Sequence, residues 1–234
     1  MASARTGDRT ASWGLGAAAL AFVAGYLFAN LFAGIAVAAG QGTTAMPTTV
    51  ASLVGLWIGF AGVPVALSRT RGVGRLAEDF GLRLAGWRDV ALGLAGGLGG
   101  YALVGLYSVI LSQFDKVNLG QGTDKLAGHG LGWSYAAFAV SVAVGAPICE
   151  ELYFRGLLQP SLQRRIGQIA GLVVTAVAFG LLHLGDNPIE AVFPLAAFGL
   201  IVGLLAWRTG RLGPGIIAHM TFNGITVVAL ALSR

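Results

Sequence analysis

Charge is scarce in this chain of 234 residues: Asp, Glu, Lys and Arg make up 11% of it, while 56% is hydrophobic. A soluble domain carries about a quarter charged residues, so the composition excludes one and points to a surface that faces lipid. Cysteine is nearly absent as well. The single Cys149 rules out an internal disulfide and a zinc-ribbon spacing, and it reads as a small core residue. No basic patch interleaved with aromatics appears, which leaves nucleic acid out as a partner. There is no internal repeat, low-complexity tract or soluble domain. Gly-x-Ser-x-Gly, a catalytic Cys-His setting and His-Glu-x-x-His are missing too, so neither a serine nor a zincin mechanism fits.

What is present is a succession of long apolar runs, expected to form an all-α polytopic bundle of about seven spans, with six to eight as the range. A polar tail, 1-12, precedes an uncharged run from Trp13 to Gly40. Ala36-Val37-Ala38 imitates a signal-peptidase site, but the apolar core is too long for one, and an uncleaved helix is expected. The second span covers about Met46 to Leu67. A basic loop at 69-89 holds five arginines, and its Arg75 to Arg83 portion reads either as a short amphipathic helix on the membrane or as a solvated loop. A third span runs from about Val90 to Phe114. The fourth begins near Trp133, the fifth covers about Gln168 to Leu184, and Gly185-Asp186-Asn187-Pro188 reads as its closing turn. The sixth, about Ala191 to Trp207, is only just long enough to cross, and Pro214 to Leu232 is the seventh. The N-terminus is expected on the cytoplasmic side. That places twelve of the fifteen basic residues inside and only Lys116, Lys125 and Arg234 outside, as the positive-inside rule requires. Residues 13-125 are then accessory helices, and 126-234 form the core. Gly55/Gly59, Gly96/Gly100 and Gly199/Gly203 are spaced for close helix contact.

Against this background one stretch stands out, Cys149-Glu150-Glu151-Leu152-Tyr153-Phe154-Arg155. From Leu126 to Cys149 the only acidic or basic residue (Asp, Glu, Lys, Arg, His) is His129, read as a loop residue. A charge inside a bilayer costs ~2.5 kcal/mol or far more, so it persists where it is paired or used. On a helix Glu151 and Arg155 share a face at i,i+4 and neutralise each other. Glu150 points about 100° away and keeps no local partner. His183 ends Phe179 to His183 in the fifth span, and His219 with Asn223 share one helix face in the seventh. Glu150 lies sixteen residues before the turn at Ile166 and His183 seventeen after it, so a hairpin brings them to one level. His219 is expected to be shallower by roughly two turns at ~1.5 Å rise per residue, unless Pro147 bends or breaks the fourth helix. Glu150, His183, His219 and Asn223 supply a base, a second base or ligand, and two hydrogen-bond donors. These are the parts needed to hydrolyse an amide.

Glu-Glu-x-x-x-Arg at 150 to 155, Phe-x-x-x-His at 179 to 183 and His-x-x-x-Asn at 219 to 223, in this order on successive helices, resemble the CAAX protease and bacteriocin-processing (CPBP or Abi) family of intramembrane proteases. The resemblance covers roughly residues 135 to 230. It implies that Glu150 and His183 activate the attacking water, that His219 and Asn223 stabilise the oxyanion, and that Glu151 and Arg155 support the site. The family has been described both as metalloproteases and as metal-independent glutamate proteases. Glu150, His183 and His219 would serve as a His₂Glu Zn²⁺ site or work without metal. The expected activity is therefore intramembrane endopeptidase, acting on a peptide or membrane-protein substrate near the cytoplasmic half of the cell membrane. The alternative is a catalytically silent scaffold or immunity protein of the same fold, and a proton-coupled transporter is a weaker third reading. The lipid bilayer is the expected environment, and a prenylated substrate is not implied.

Overall fold

The computed structural model describes residues 13–114, 119, 132–184 and 187–232. The expectations for the tail at 1-12, for His129, Lys116, Lys125 and Arg234, and for the Gly185-Asp186 part of the turn fall outside these residues. Among the described residues all extended regular structure is helical. Helix α1 is Leu15–Ala38. Helices α2, Met46–Phe60, and α3, Gly62–Arg71, continue one another through a break at Ala61. A single turn, α4, is Leu76–Asp79. Then follow α5, Trp87–Leu111, α6, Trp133–Ile166, α7, Gln168–Leu182, α8, Val192–Thr209, and α9, Gly213–Leu232.

Six of these helical stretches are long and apolar enough to cross a membrane, and α7 is a shorter apolar helix. The chain is thus a multi-pass membrane protein with an all-helical bundle, and its six helices of spanning length lie at the lower end of the expected range of six to eight, with α7 as a shorter helix where the fifth span was expected. Large apolar side chains on its outer faces, such as Leu20, Leu27, Leu106 and Val109, are more than half exposed, as lipid-facing residues are. The short span is not the sixth, which is 21 residues with its lead-in turn, but the fifth. At 15 residues α7 rises about 22 Å, short of the ~30 Å hydrocarbon thickness. The reason is local. The His183 ring nitrogen Nδ1 lies 2.9 Å from the Phe179 carbonyl and caps the helix end, and the Asn187 N–H then turns back to the His183 carbonyl.

Glycines set the close contacts. A Cβ at Gly59 would collide with the Gly25 nitrogen, and one at Gly55 with the Phe28 carbonyl oxygen, so α1 and α2 touch backbone to backbone. Gly93 and Gly97 do the same between α5 and α9, and Gly100 receives the Phe198 ring. All three glycine pairs read from the sequence sit at such interfaces.

The arginine-bearing ends are laced together. Trp13 stacks on Phe80 at 4.7 Å, Arg164 donates to the Trp13 carbonyl at 2.7 Å, and the Leu212 N–H donates to the Gly81 carbonyl at 2.7 Å. Arg211 closes on Asp89 through both carboxylate oxygens, at 2.8 and 2.7 Å. The 75 to 83 segment is therefore neither a membrane-lying amphipathic helix nor a free loop. Its one helical turn spans four residues, and the Phe80 side chain is buried in the protein.

Candidate active site

The long helix α6 is where the sequence departs furthest from regular geometry. Two stretches, Ser141–Gly145 and Leu152–Leu158, are π-helical, and each is followed within two residues by a proline, Pro147 and Pro160. Proline has no N–H to donate, so the ladder must shift around it. In the first stretch the Ala146 N–H reaches back to the Ser141 carbonyl. The same five-residue step would pair Val142 with Pro147, which cannot donate. Asn223 Nδ2 fills the gap and donates to the Val142 carbonyl at 2.8 Å. The widened helix carries Glu150 and Glu151 on the straight segment between the two π turns.

The two glutamates diverge. Glu151 is wholly buried. Its Oε1 accepts from Arg155 Nη1 at 2.8 Å and lies 3.0 Å from His219 Nδ1. Arg155 also donates to the Gly199 carbonyl at 2.9 Å, and one turn on Gln159 donates to the Gly203 carbonyl at 3.1 Å. The guanidinium sits over the Phe179 ring, 4.6 Å from its centroid, a favourable contact in a dry setting. His219 is clamped edge-on between Phe179 and Phe198, at 5.5 and 5.6 Å between centroids. Because a carboxylate only accepts, Nδ1 of His219 carries its proton toward Glu151 and Nε2 is turned the other way.

Glu150 is buried too; its Oε2, like Glu151 Oε2, has no hydrogen-bond partner, and it lies 3.9 Å from His219 Nε2. It lines a cavity of about 520 Å³ together with His183, His219 and Asn223. The structure thus brings all four sequence-predicted site residues to one space and leaves Glu151 and Arg155 behind it. The expected two-turn offset of His219 is absent, since its Nε2 lies 3.9 Å from Glu150 Oε2. With His183 Nδ1 on the Phe179 carbonyl, its Nε2 is left to accept. The cavity wall also includes Tyr101 and Ser108 of α5, and Ser52 and Leu56 of α2. Among the described residues no group of three or more His, Cys, Asp or Glu is arranged to hold a metal ion, the candidate set Glu150, His183 and His219 included. Cys149 is buried beside the site and unpaired.

Sequence reasoning missed Phe198 and the Gly199 carbonyl. Their signal was available: Arg155 and Gln159, four apart, meet Gly199 and Gly203, also four apart.

Residues 132–225, from the start of α6 to well into α9, match the sequence model of the Rce1-like family, described as type II CAAX prenyl endopeptidase Rce1-like. The match supports a relation of this helical core to the CPBP/Abi family. The matched segment holds every candidate site residue. An uncharacterised protein of Mycoplasma capricolum is 26% identical over 137 residues, covering 55% of this chain and 40% of that protein. A UPF0177 protein in the abiGi 5' region of Lactococcus lactis subsp. cremoris is 29% identical over 93 residues, covering 40% of this chain and 38% of that protein. The match thus spans about two fifths of the length of these relatives. No solved structure matches the chain.

Proposed function

We propose that the chain is an intramembrane endopeptidase that hydrolyses a peptide bond of a peptide or membrane-associated protein in the cell membrane. The observation that carries the reading is the Glu150 carboxylate, buried at 7% exposure yet on the cavity wall with Oε2 unpartnered. Glu151 Oε2 is also without a partner, but of the two only Glu150 is on the cavity wall, where a reacting molecule supplies the contact that a buried polar atom needs.

Water held between Glu150 and Nε2 of His183 gives its proton to the Glu150 carboxylate as its oxygen bonds to the substrate carbonyl carbon. The oxygen that gains negative charge is met by His219 and Asn223. Asn223 Nδ2 carries two hydrogens, of which Val142 takes one. His219 donates from Nε2 when its ring carries the second proton. In that state Glu150, Glu151, Arg155 and His219 sum to zero charge, which suits a buried set. Breaking the C–N bond then passes the Glu150 proton to the leaving amine. Glu151 and Arg155 touch no substrate and are positioning residues. The helices of 13-125 serve as walls of the cavity rather than as sources of reacting groups.

A peptide-cleavage screen on purified protein tests the reading, with wild type, Glu150→Gln and His183→Ala compared, each with and without a chelator. Cleavage by wild type alone supports it. Equal backgrounds there, followed by identical proteomes of cells carrying wild type and Glu150→Gln, overturn it in favour of a silent scaffold or immunity protein.

A further inference from the structure

The helices α2, α5, α6, α7 and α8 wall the cavity between about their middle and the end farther from the arginines, and α1 and α9 wall it from their middle turns. On α6 Phe138, Val142 and Glu150 line it, whereas Arg164 and Arg165 close the opposite end. On α5 the lining reaches Ser108 near the end of the helix, away from Arg88 at its start. On α9 it runs from His219 to Thr226 across the middle of the helix, with Arg211 just before the helix start. Antiparallel neighbours agree, since Ser52 of α2 lies well before Arg69 and Arg71 at the end of α3.

The other side of the glutamates is shut. Leu152, Phe154, Leu157, Phe60 and Leu212 are each 3% exposed or less, and Phe60 stacks on Tyr153 at 4.2 Å. The expectation of a cut near the arginine-bearing half thus meets a packed seal there and a cavity on the opposite side. Arginine-rich ends of multi-span proteins lie in the cytoplasm. The lining mixes hydroxyls and an amide (Ser52, Ser108, Thr226, Asn187) with apolar side chains, which suits an extended peptide with apolar residues.

We propose that water and substrate reach Glu150 from the non-cytoplasmic face, so that the bond presented belongs to an exported peptide or to the translocated part of a membrane protein. The identity of what enters rests on the endopeptidase reading; the side of entry does not.

Accessibility in cells tests it. Ser52→Cys, Ser108→Cys and Thr226→Cys are each placed in a Cys149→Ala background, with Arg165→Cys as a marker of the arginine face. A charged, membrane-impermeant maleimide is applied to intact cells and to inverted vesicles. The cavity cysteines are expected to label in intact cells and to lose labelling in inverted vesicles, and Arg165→Cys to do the reverse. Cavity cysteines that label only in inverted vesicles, or from neither side, overturn the proposal, as does Arg165→Cys labelling from outside. If Cys149→Ala fails to accumulate, the buried Cys149 is kept and labelling of that parent is subtracted. The pattern is also read in Glu150→Gln. Outward labelling of protein that keeps Glu150 but shows no cleavage activity would overturn the endopeptidase and leave the entry side standing.

Discussion

His219 Nδ1 lies 3.0 Å from the same Glu151 oxygen that Arg155 holds at 2.8 Å. One carboxylate thereby fixes both a buried cation and the ring that faces Glu150, and adjacent residues of one helix turn take opposite parts.

Substitution should separate those parts. Glu150→Gln is expected to keep the melting temperature within a few degrees of wild type and to lower cleavage by about 10²- to 10⁴-fold, the usual range for a general base. Glu151→Gln leaves Arg155 buried without its counter-charge, and removing one partner of a buried pair costs roughly 3–5 kcal/mol. Its melting temperature should fall clearly in detergent. A stable Glu151→Gln protein beside an unstable Glu150→Gln one would reverse the assignment.

Asn223 and Pro147 should be coupled. Asn223→Ala strands the Val142 carbonyl, a loss of about 1–3 kcal/mol for an unsatisfied buried acceptor. Pro147→Ala restores a backbone N–H within reach of that carbonyl, so Asn223→Ala should destabilise less in that background. A double-mutant cycle reads this as a non-zero coupling energy. Cleavage by Asn223→Ala should stay low in both backgrounds, because the oxyanion donor is missing either way.

The α1–α2 contact predicts a contrast between glycines. Gly59→Ala drives a methyl group into the α1 backbone and should lower stability by roughly 1–3 kcal/mol. Gly34→Ala on the same α1 helix meets nothing within 4 Å and should be neutral or mildly stabilising, by up to about 1 kcal/mol. Thermal unfolding of the two variants side by side decides it.

Asp79 gives a pH dependence on the arginine face. Burial works against its charge, but the Ser68 hydroxyl and the backbone of Val73, Arg75 and Gly74 outweigh it and hold the carboxyl below the usual aspartate value. A depressed folded-state pKa contributes stability above the unfolded value and loses it as pH falls through the folded one. Hydrogen exchange in the 72 to 80 turn should therefore show protection falling as pH drops below about 4. Asp79→Asn should lack that response.

The sequence carried the site's membership because each motif repeats at i,i+4 on its own helix: Glu151 to Arg155, Phe179 to His183, His219 to Asn223. Such spacing depends only on local helix geometry. It carried the glycine seams for the same reason. What it did not carry depends on partners far along the chain. The Asp89–Arg211 pair is separated by 122 residues, and neither residue has a local feature that names the other. The end of α7 was legible to within two residues, but the contact of the His183 ring with the Phe179 carbonyl of its own helix was not. The π turns of α6 were hinted at by Pro147 alone, and the hint did not say that Asn223 would repair the break. The side on which the cavity lies was not legible at all, since a span's pattern shows which residues are apolar and not which end of the bundle is hollow.

The aromatic seal between the glutamates and the arginines also decides where voltage is felt. In a membrane under potential, moving one elementary charge through the full field is worth about 2.3 kcal/mol per 100 mV. With solvent in the cavity and a dry plug of Phe60, Tyr153, Phe154 and Leu157 beneath it, nearly all of that drop falls across the plug. On the proposed entry from the outer side, Glu150 and His219 then sit near the electrical potential of the outer solution.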